Sequence, residues 1–358
     1  MYRFLFIIWC TTSMNALAQT TDIVVLNAAE SERLMSVIQN DTQAKQLYDS
    51  IRIQAQHYLT DSPRPLAQIF YEGLLQTHPD RIDTQKSLED IDKVVSFIYS
   101  HYGSNEAEYA QKAKEIVLAW ASTYFPTGNP INENKLVPLF WAFYLFQDWF
   151  TSSEKSLIED WMVSIAEEQM ARADTPNNNW EAKRLKIIGT VGCILGDKAL
   201  MDYSVEGMKE FIHTAYYADG TSNDLNERDA LHYHISGLVP AIAFFIASSP
   251  FHPTFELFNY NSPGGSSVRK SVEFAIPYAN GSIKRKEWIN SKVALDKKRA
   301  EAGLEEYQPG MLFDPEKAKP LFEWAAYYNP EWYGLLSADK NYTSTWIGLL
   351  NSPLVRNQ

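Results

Sequence analysis

Cysteine is almost absent from this chain: Cys10 and Cys193 are the only two in 358 residues. Cys10 lies in a stretch, residues 1–18, that reads as a secretory leader. Arg3 gives it a positive start, residues 5–9 an apolar run, and Ala16-Leu17-Ala18 a small-x-small cleavage site before Gln19. The bulky Trp9 argues against Cys10 as a lipid anchor. With the leader removed, Cys193 alone remains, which excludes an internal disulfide and a thiolate metal site. The expected location is the bacterial periplasm or outside the cell.

Other shortages narrow the function. Basic residues are outnumbered, 32 Lys and Arg against 44 Asp and Glu, for a net charge of −12. That argues against nucleic acid as a partner, although a local basic cleft can still take a polyanion. No run beyond the leader is long enough to cross a membrane; residues 235–247 are too few and carry Pro240. The seven histidines show no convincing ligand spacing, and His232-x-His234 alone is weak. No glycine loop sits between a strand and a helix; Pro263-Gly264-Gly265 is a turn. No metal or cofactor is expected.

What the chain has in quantity is helical periodicity. Apolar residues recur at helix spacing from 29 to 59, with a break at Asn40-Asp41-Thr42. Further helices are predicted over 84–102, 106–124, 136–150, 153–173, 180–195, 199–217 and from the apolar run at 235–247. Strand signals are scarce up to Ser249, and no strict repeat is present. Some helices are apolar nearly all round and others amphipathic, which predicts an inner and an outer layer. The expectation is an all-α double layer of antiparallel helix pairs curved into a toroid, one domain over 19–358. From about residue 250 the texture is less regular, with helical stretches near 268–278 and 315–328. Residues 284–299 hold seven basic residues, among them Arg285 and Arg299, against Glu287 and Asp296. They read as a solvated face or as a basic wall for an anionic chain.

The densest chemistry is Glu227-Arg228-Asp229-Ala230-Leu231-His232-Tyr233-His234. Two loops share its polar character: residues 126–139, from Pro126-Thr127-Gly128 to Val137-Pro138-Leu139, and Asn177-Asn178-Asn179-Trp180. With Asp219-Gly220-Thr221-Ser222, and in this order, these segments resemble the alginate lyase superfamily, the α/α-toroid polysaccharide lyases. The resemblance spans roughly residues 85–250. It implies a toroid of helix pairs and β-elimination on a uronic-acid polymer such as alginate. It also implies an Asn, an Arg and a Tyr around the scissile uronate. Asn178 or Asn179 matches the first, Arg228 is nearest the second, and Tyr233 matches the third. Two positions depart from the pattern. In well-studied lyases of this fold a His follows the Asn, whereas here Asn179 and Trp180 follow Asn178. Their Arg also lies seven residues before the Tyr, where this chain has Asn226.

The chemistry explains why such residues are needed. Removal of the C5 proton of a uronate builds charge on its carboxylate. An amide donor and a cation held there stabilise the transition state more than the ground state, each such donor contributing on the order of 3 kcal/mol in comparable sites. A base takes the proton and an acid serves the leaving oxygen. Tyr233 suits both if a cation lies beside it; His232 or His234 are alternatives with ordinary pKa values near neutral. Asp229 reads as the N-cap of the helix that follows. Asn179, Trp180, Lys135, Trp141, Arg184 and His234 are candidates for substrate contact: Lys135 for a neighbouring uronate, Trp141 for stacking on a sugar, Arg184 for the cleft wall. A rival reading is a glycoside hydrolase built on Asp224, Glu227 and Asp229. Another is a glycan-binding protein without catalysis.

Overall fold

The computed structural model describes residues 22–251, 256–336 and 345–356. The expected leader, 1–18, lies outside them. Among the described residues there is no strand, only isolated bridges between Tyr216 and Ser222 and between Lys286 and Leu312. The helices are α1 (Ala28–Asn40), α2 (Thr42–Tyr58), α3 (Pro79–Ser104), α4 (Ala107–Ala121), α5 (Pro130–Glu133), α6 (Val137–Leu145), α7 (Ser152–Ala171), α8 (Asn179–Leu195), α9 (Lys198–Ala215), α10 (Asn223–Arg228), α11 (Leu231–Ser248), α12 (Val268–Ala279), α13 (Ala294–Glu301), α14 (Lys319–Ala325), α15 (Trp346–Leu350) and α16 (Pro353–Arg356).

Periodicity locates most of these, and local chemistry sets their ends. α3 begins earlier than expected because Pro79 suits a first helical turn. α8 stops at Gly196, whose φ of 67° is left-handed. The aromatic helix expected over 136–150 is shorter: α6 stops at Leu145, and 3-10 turns flank it at Asn134–Leu136 and Gln147–Trp149.

The helices pair into the expected α/α toroid. α3, α8 and α11 bury most of their surface, whereas α9 buries one stripe against α8. The C-terminal third closes the ring: α11 packs on α14, α14 on α15, α15 on α2 and α16 on α1. Polar ties seal that seam. Arg33 Nε donates to Val355 O at 2.7 Å, and Arg356 Nη1 donates to Val25 O at 3.0 Å.

Two buried carboxylates fix the connections that approach the cleft. Asp90 accepts from the indole of Trp120 at 3.0 Å and from Arg64 N at 2.5 Å, and pairs with Lys93 at 3.2 Å. It thereby anchors the start of the α2–α3 connection. Asn132 holds the middle of that connection, donating to Ile69 O and accepting from Glu72 N. Glu133 gathers the 126–134 loop, accepting from Tyr124 Oη, Thr127 N, Gly128 N and Gln169 Nε2. Buried acceptors left unpaired would cost on the order of 1–3 kcal/mol each, so these bonds specify the loop paths.

Candidate active site

The opening of α8 and the opening of α11 meet at one cleft. Asn178 is the N-cap of α8, its Oδ1 accepting from Trp180 N at 3.0 Å. Asn179 is buried and faces inward. Asp224, on α10, accepts from Asn179 N at 2.7 Å and from Asn179 Nδ2 at 2.8 Å. That bidentate hold fixes which end of the amide carries the N–H groups. One turn on, Lys183 Nζ donates to Asn179 Oδ1 at 3.0 Å and lies within bonding reach of Ser236 O and Oγ on α11. Burial pushes Asp224 up to about 6, against the pull of its Asn179 bonds and the Lys183 charge. Burial likewise pulls Lys183 down to about 8.

α11 opens differently from the expectation. Asp229 does not cap it. Asp229 is the left-handed residue that ends α10, at φ 51°. Its carboxylate instead pairs with Arg285 at 2.7 Å and accepts from Asn290 N at 3.0 Å. The free N–H of Leu231 donates to the buried carboxylate of Glu287, so a residue from the 284–299 stretch caps α11 from outside. Trp288 follows at φ 65°, its N–H bonded to Asp229 O at 2.9 Å. A bulky residue in that region is strained, and such strain persists where surrounding bonds over-determine it. Here it brings the indole against both His232 and Tyr233, with ring centroids 5.3 and 5.9 Å apart.

Tyr233 sits between two arginines. Arg228 stacks on the ring face, 3.5 Å from its centroid, and is bound twice by Asp296. Arg299 Nη1 donates to the phenol oxygen at 2.7 Å. The cation at the hydroxyl is therefore Arg299 of α13, not Arg228, whose charge is already spent on Asp296. Sequence reasoning placed Arg299 only within a basic stretch. Of that stretch Arg285 and Arg299 turn inward, while Lys284, Lys286, Lys292, Lys297 and Lys298 are exposed. Tyr307 also packs near, under Arg299 and against Trp288.

The histidines divide. His232 stacks on Tyr233 at 4.1 Å and lines the cleft; side chains in a first helical turn can meet despite their angular offset when a third ring packs over both. Burial, with the charges of Lys317, Arg228 and Arg299, pulls it down to about 3, so it is neutral at physiological pH. His234 is fully buried, with Nδ1 2.8 Å from Ser222 Oγ and Nε2 2.9 Å from Ser271 O. Both nitrogens are used, so it touches no substrate and ties α11 to α10 and α12.

Four other candidates are corrected or refined. Trp141 is 2% exposed, packed with Tyr144 and Phe251, and has no face for a sugar. Arg184 is turned away from the cleft, bound to Glu181, Gln169 O and Tyr203 Oη. Its neighbour Lys183, unnoticed in the sequence although four residues after Asn179, takes the inward position. Trp180 is half-buried beneath Arg172, 5.2 Å from its ring. Lys135 lies 3.8 Å over the Tyr71 ring, with Arg81 4.2 Å from the same ring. Burial pushes the Tyr71 phenol up, but Lys135 and Arg81 outweigh it and bring it below its ordinary value.

The cleft has a volume of about 330 Å³; its walls include Asn134, Lys183, His232, Ser236, Glu306 and Lys317. No group of three or more His, Cys, Asp or Glu gathers as a metal site among the described residues. The carboxylates of the hydrolase reading are not paired across the cleft. Asp224 is bound to Asn179, Asp229 to Arg285, and Glu227 is exposed.

The helix pairs form an α/α toroid in which Tyr233 lies between Arg228 and Arg299. The alginate lyase family model matches residues 37–287, and the chain belongs to that family. Among solved structures, an alginate lyase from Bacteroides ovatus superposes with a TM-score of 0.66 at 16% identity, over 92% of this chain and 100% of that one. Alginate lyase A1-III from Sphingomonas species A1 gives 0.52 at 14% identity, over 80% and 91%. A Tyr→Phe variant of that Sphingomonas enzyme, solved with a tetrasaccharide, gives the same values. No curated protein matches the chain.

Proposed function

We propose that this lyase cleaves a contiguous uronic-acid polymer, alginate-like or glucuronan-like, by β-elimination, with Tyr233 as the proton-transfer group. The observation that carries the reading is the 2.7 Å bond from Arg299 to the Tyr233 oxygen, next to His232, which lines the cleft together with Lys183, the partner of Asn179. Asn179, rather than the capping Asn178, supplies the amide: Asp224 takes one N–H of Nδ2, and the second is left for the substrate carboxylate. The resulting charge is stabilised by donors that need no reorganisation. An anionic phenol oxygen would keep its bond to Arg299 through the reaction. Arg228 stiffens the ring from its face. His232, neutral and weakly basic, serves as a polar wall rather than as the base. Export by residues 1–18 is part of the same proposal, since a polymer of this kind is met outside the cytoplasm.

The test is incubation of the purified protein with alginate, glucuronan and neutral glycans. A lyase produces the near-ultraviolet absorbance of an unsaturated uronate from at least one uronan and none from neutral glycans. New reducing ends without that absorbance would mark a hydrolase. Absence of both would leave a binding protein.

A further inference from the structure

We propose that Lys317 holds the carboxylate of the uronate adjoining the one at Tyr233, and that it does so by exchanging Glu306 for the substrate. This rests on the lyase reading above and deepens it, because it names a second charged group of the polymer that the cleft recognises.

Four charged side chains line the cleft: Asp22, Lys183, Glu306 and Lys317. The first two are committed. Asp22 is paired with Lys186 of α8, and both are buried. Lys183 spends its donors on Asn179 and Ser236, with the charge of Asp224 close by. Lys317 is held more loosely. Its Nζ lies 3.8 Å from a Glu306 carboxylate oxygen, an ion pair too long for a hydrogen bond. Among the described residues no other acid pairs with it. Glu287 also feels its charge, but that carboxylate is buried and accepts from Leu231 N. The side chains of Lys317 and Glu306 are 39% and 49% exposed, so a ligand in the cleft can reach both.

Lys317 stands on the 3-10 turn Pro315–Ala318, which packs on α11, α12 and α14. Glu306 stands on another, Glu305–Tyr307, which packs on α13. His232 lines the same cleft, and its ring stacks on Tyr233. After burial, the charge of Lys317 is the foremost cause that keeps His232 neutral, ahead of Arg228 and Arg299. Lys317 therefore stands beside the tyrosine site, while the phenol oxygen itself is served by Arg299.

A half-exposed pair at this separation contributes little to stability. Lys317 can trade one carboxylate for another at small cost, and a compact ammonium with rotatable donors suits that exchange. Glu306 makes the exchange selective. Its charge opposes any anion entering the cleft, and only a sugar whose own carboxylate reaches Lys317 replaces what the opened pair loses. A neutral sugar at that place leaves the pair closed.

The test uses Tyr233→Phe protein, which can hold a saturated tri-uronate without turnover, and reads affinity by calorimetry. Lys317→Met should weaken binding about tenfold, the equivalent of one charge-assisted bond. Glu306→Gln should tighten it about threefold, because the competing carboxylate is gone. Opposite signs mark exchange, whereas a mere brace between the two turns would lose in the same direction from either variant. Neither substitution should alter affinity for a neutral trisaccharide. With Tyr233 intact, Lys317→Met should raise KM on a uronan and leave kcat within about twofold, since a contact on the adjoining sugar binds ground and transition states alike. Unchanged affinity in either variant, or weaker binding in Glu306→Gln, would overturn the proposal. So would a loss confined to kcat, which puts Lys317 on the cleaved uronate instead. Glu306→Gln keeps the residue's shape, so it reads the exchange even if Lys317→Met folds poorly. The lyase reading is scored separately by unsaturated product from the wild type. Product with unaltered affinities sinks only the subsite; shifted affinities without product sink only the lyase.

Discussion

The two helix openings that meet at the cleft are built in opposite ways. α8 is completed locally, by the side chain of Asn178 immediately before it. α11 begins at Ala230, which has no capping side chain, and is completed by Glu287 from more than fifty residues away. The same remote stretch supplies Trp288 against the His232 and Tyr233 rings and Arg299 at the Tyr233 oxygen. The cap of α8 is thus set by local sequence, although Asp224 of α10 holds Asn179 behind it, and the tyrosine half is completed by residues of the C-terminal third. That division separates a helix opening capped by its own neighbour from one whose geometry depends on long-range packing.

The largest expected effect attacks the tyrosine half at its centre. Tyr233→Phe should lower kcat by about 10³-fold or more, since proton transfer alone contributes 10² to 10⁴ in comparable sites. Binding of oligouronate should change little, because the ring and its Arg228 stack remain. Near-normal turnover would remove Tyr233 from the mechanism. Next comes a contrast between the two arginines. Arg299→Met should cost on the order of 10²-fold in kcat, comparable to removing one charge-stabilising donor. Arg228→Met should cost less in kcat but more in stability, because it removes both guanidinium bonds to the buried Asp296 and leaves it only Ser291 Oγ and the more distant Arg299. If steady-state kinetics put the larger kcat loss on Arg228, the assignment of the hydroxyl's cation to Arg299 is wrong.

How much of this was legible follows the same division. The helix order and the toroid come from periodicity, loop chemistry and family resemblance, all of which are local signals. Asp224 as the holder of Asn179 and Glu287 as the cap of α11 were not legible, because each acts on backbone or amide groups far along the chain. Asp229 looked like a cap because an acid before an apolar helix normally is one. The left-handed turn at Asp229 instead points its carboxylate at Arg285. Trp141 and Arg184 were misjudged on which helix face they occupy. Spacing alone does not say which face turns toward the ring centre.

Acid titration probes the remote ties of α11 at intermediate magnitude. Burial holds His234 near 4, against about 6.5 in an unfolded chain. Its folded value is depressed, so the unfolded state binds more protons between those limits. Its contribution is therefore full above pH 6.5 and is lost as pH falls toward 4, at most about 3 kcal/mol in all. Asp224, raised to about 6, works the other way, since its folded form takes up a proton before the unfolded one does. In urea unfolding at pH 7.5, 6 and 5, His234→Gln should flatten the acid decline relative to wild type. Parallel declines in the two proteins would show that the Ser222–His234–Ser271 tie does not govern it.

The smallest effect compares the two caps directly. Asn178→Ala should cost about 1 kcal/mol of stability, the usual value for a lost N-cap, and leave kcat within a factor of about two. Glu287→Ala removes the equivalent bond at α11 and should cost somewhat more, about 2 kcal/mol, since the carboxylate it deletes is buried. The distinguishing readout is activity. Glu287 is adjacent to Trp288, so its loss should loosen the ring stack and lower kcat roughly tenfold while KM stays near wild type. Should both variants lose stability and neither lose kcat, the remote stretch would be merely a brace for α11, and the placement of Tyr233 would have to come from Arg228 and Arg299 alone.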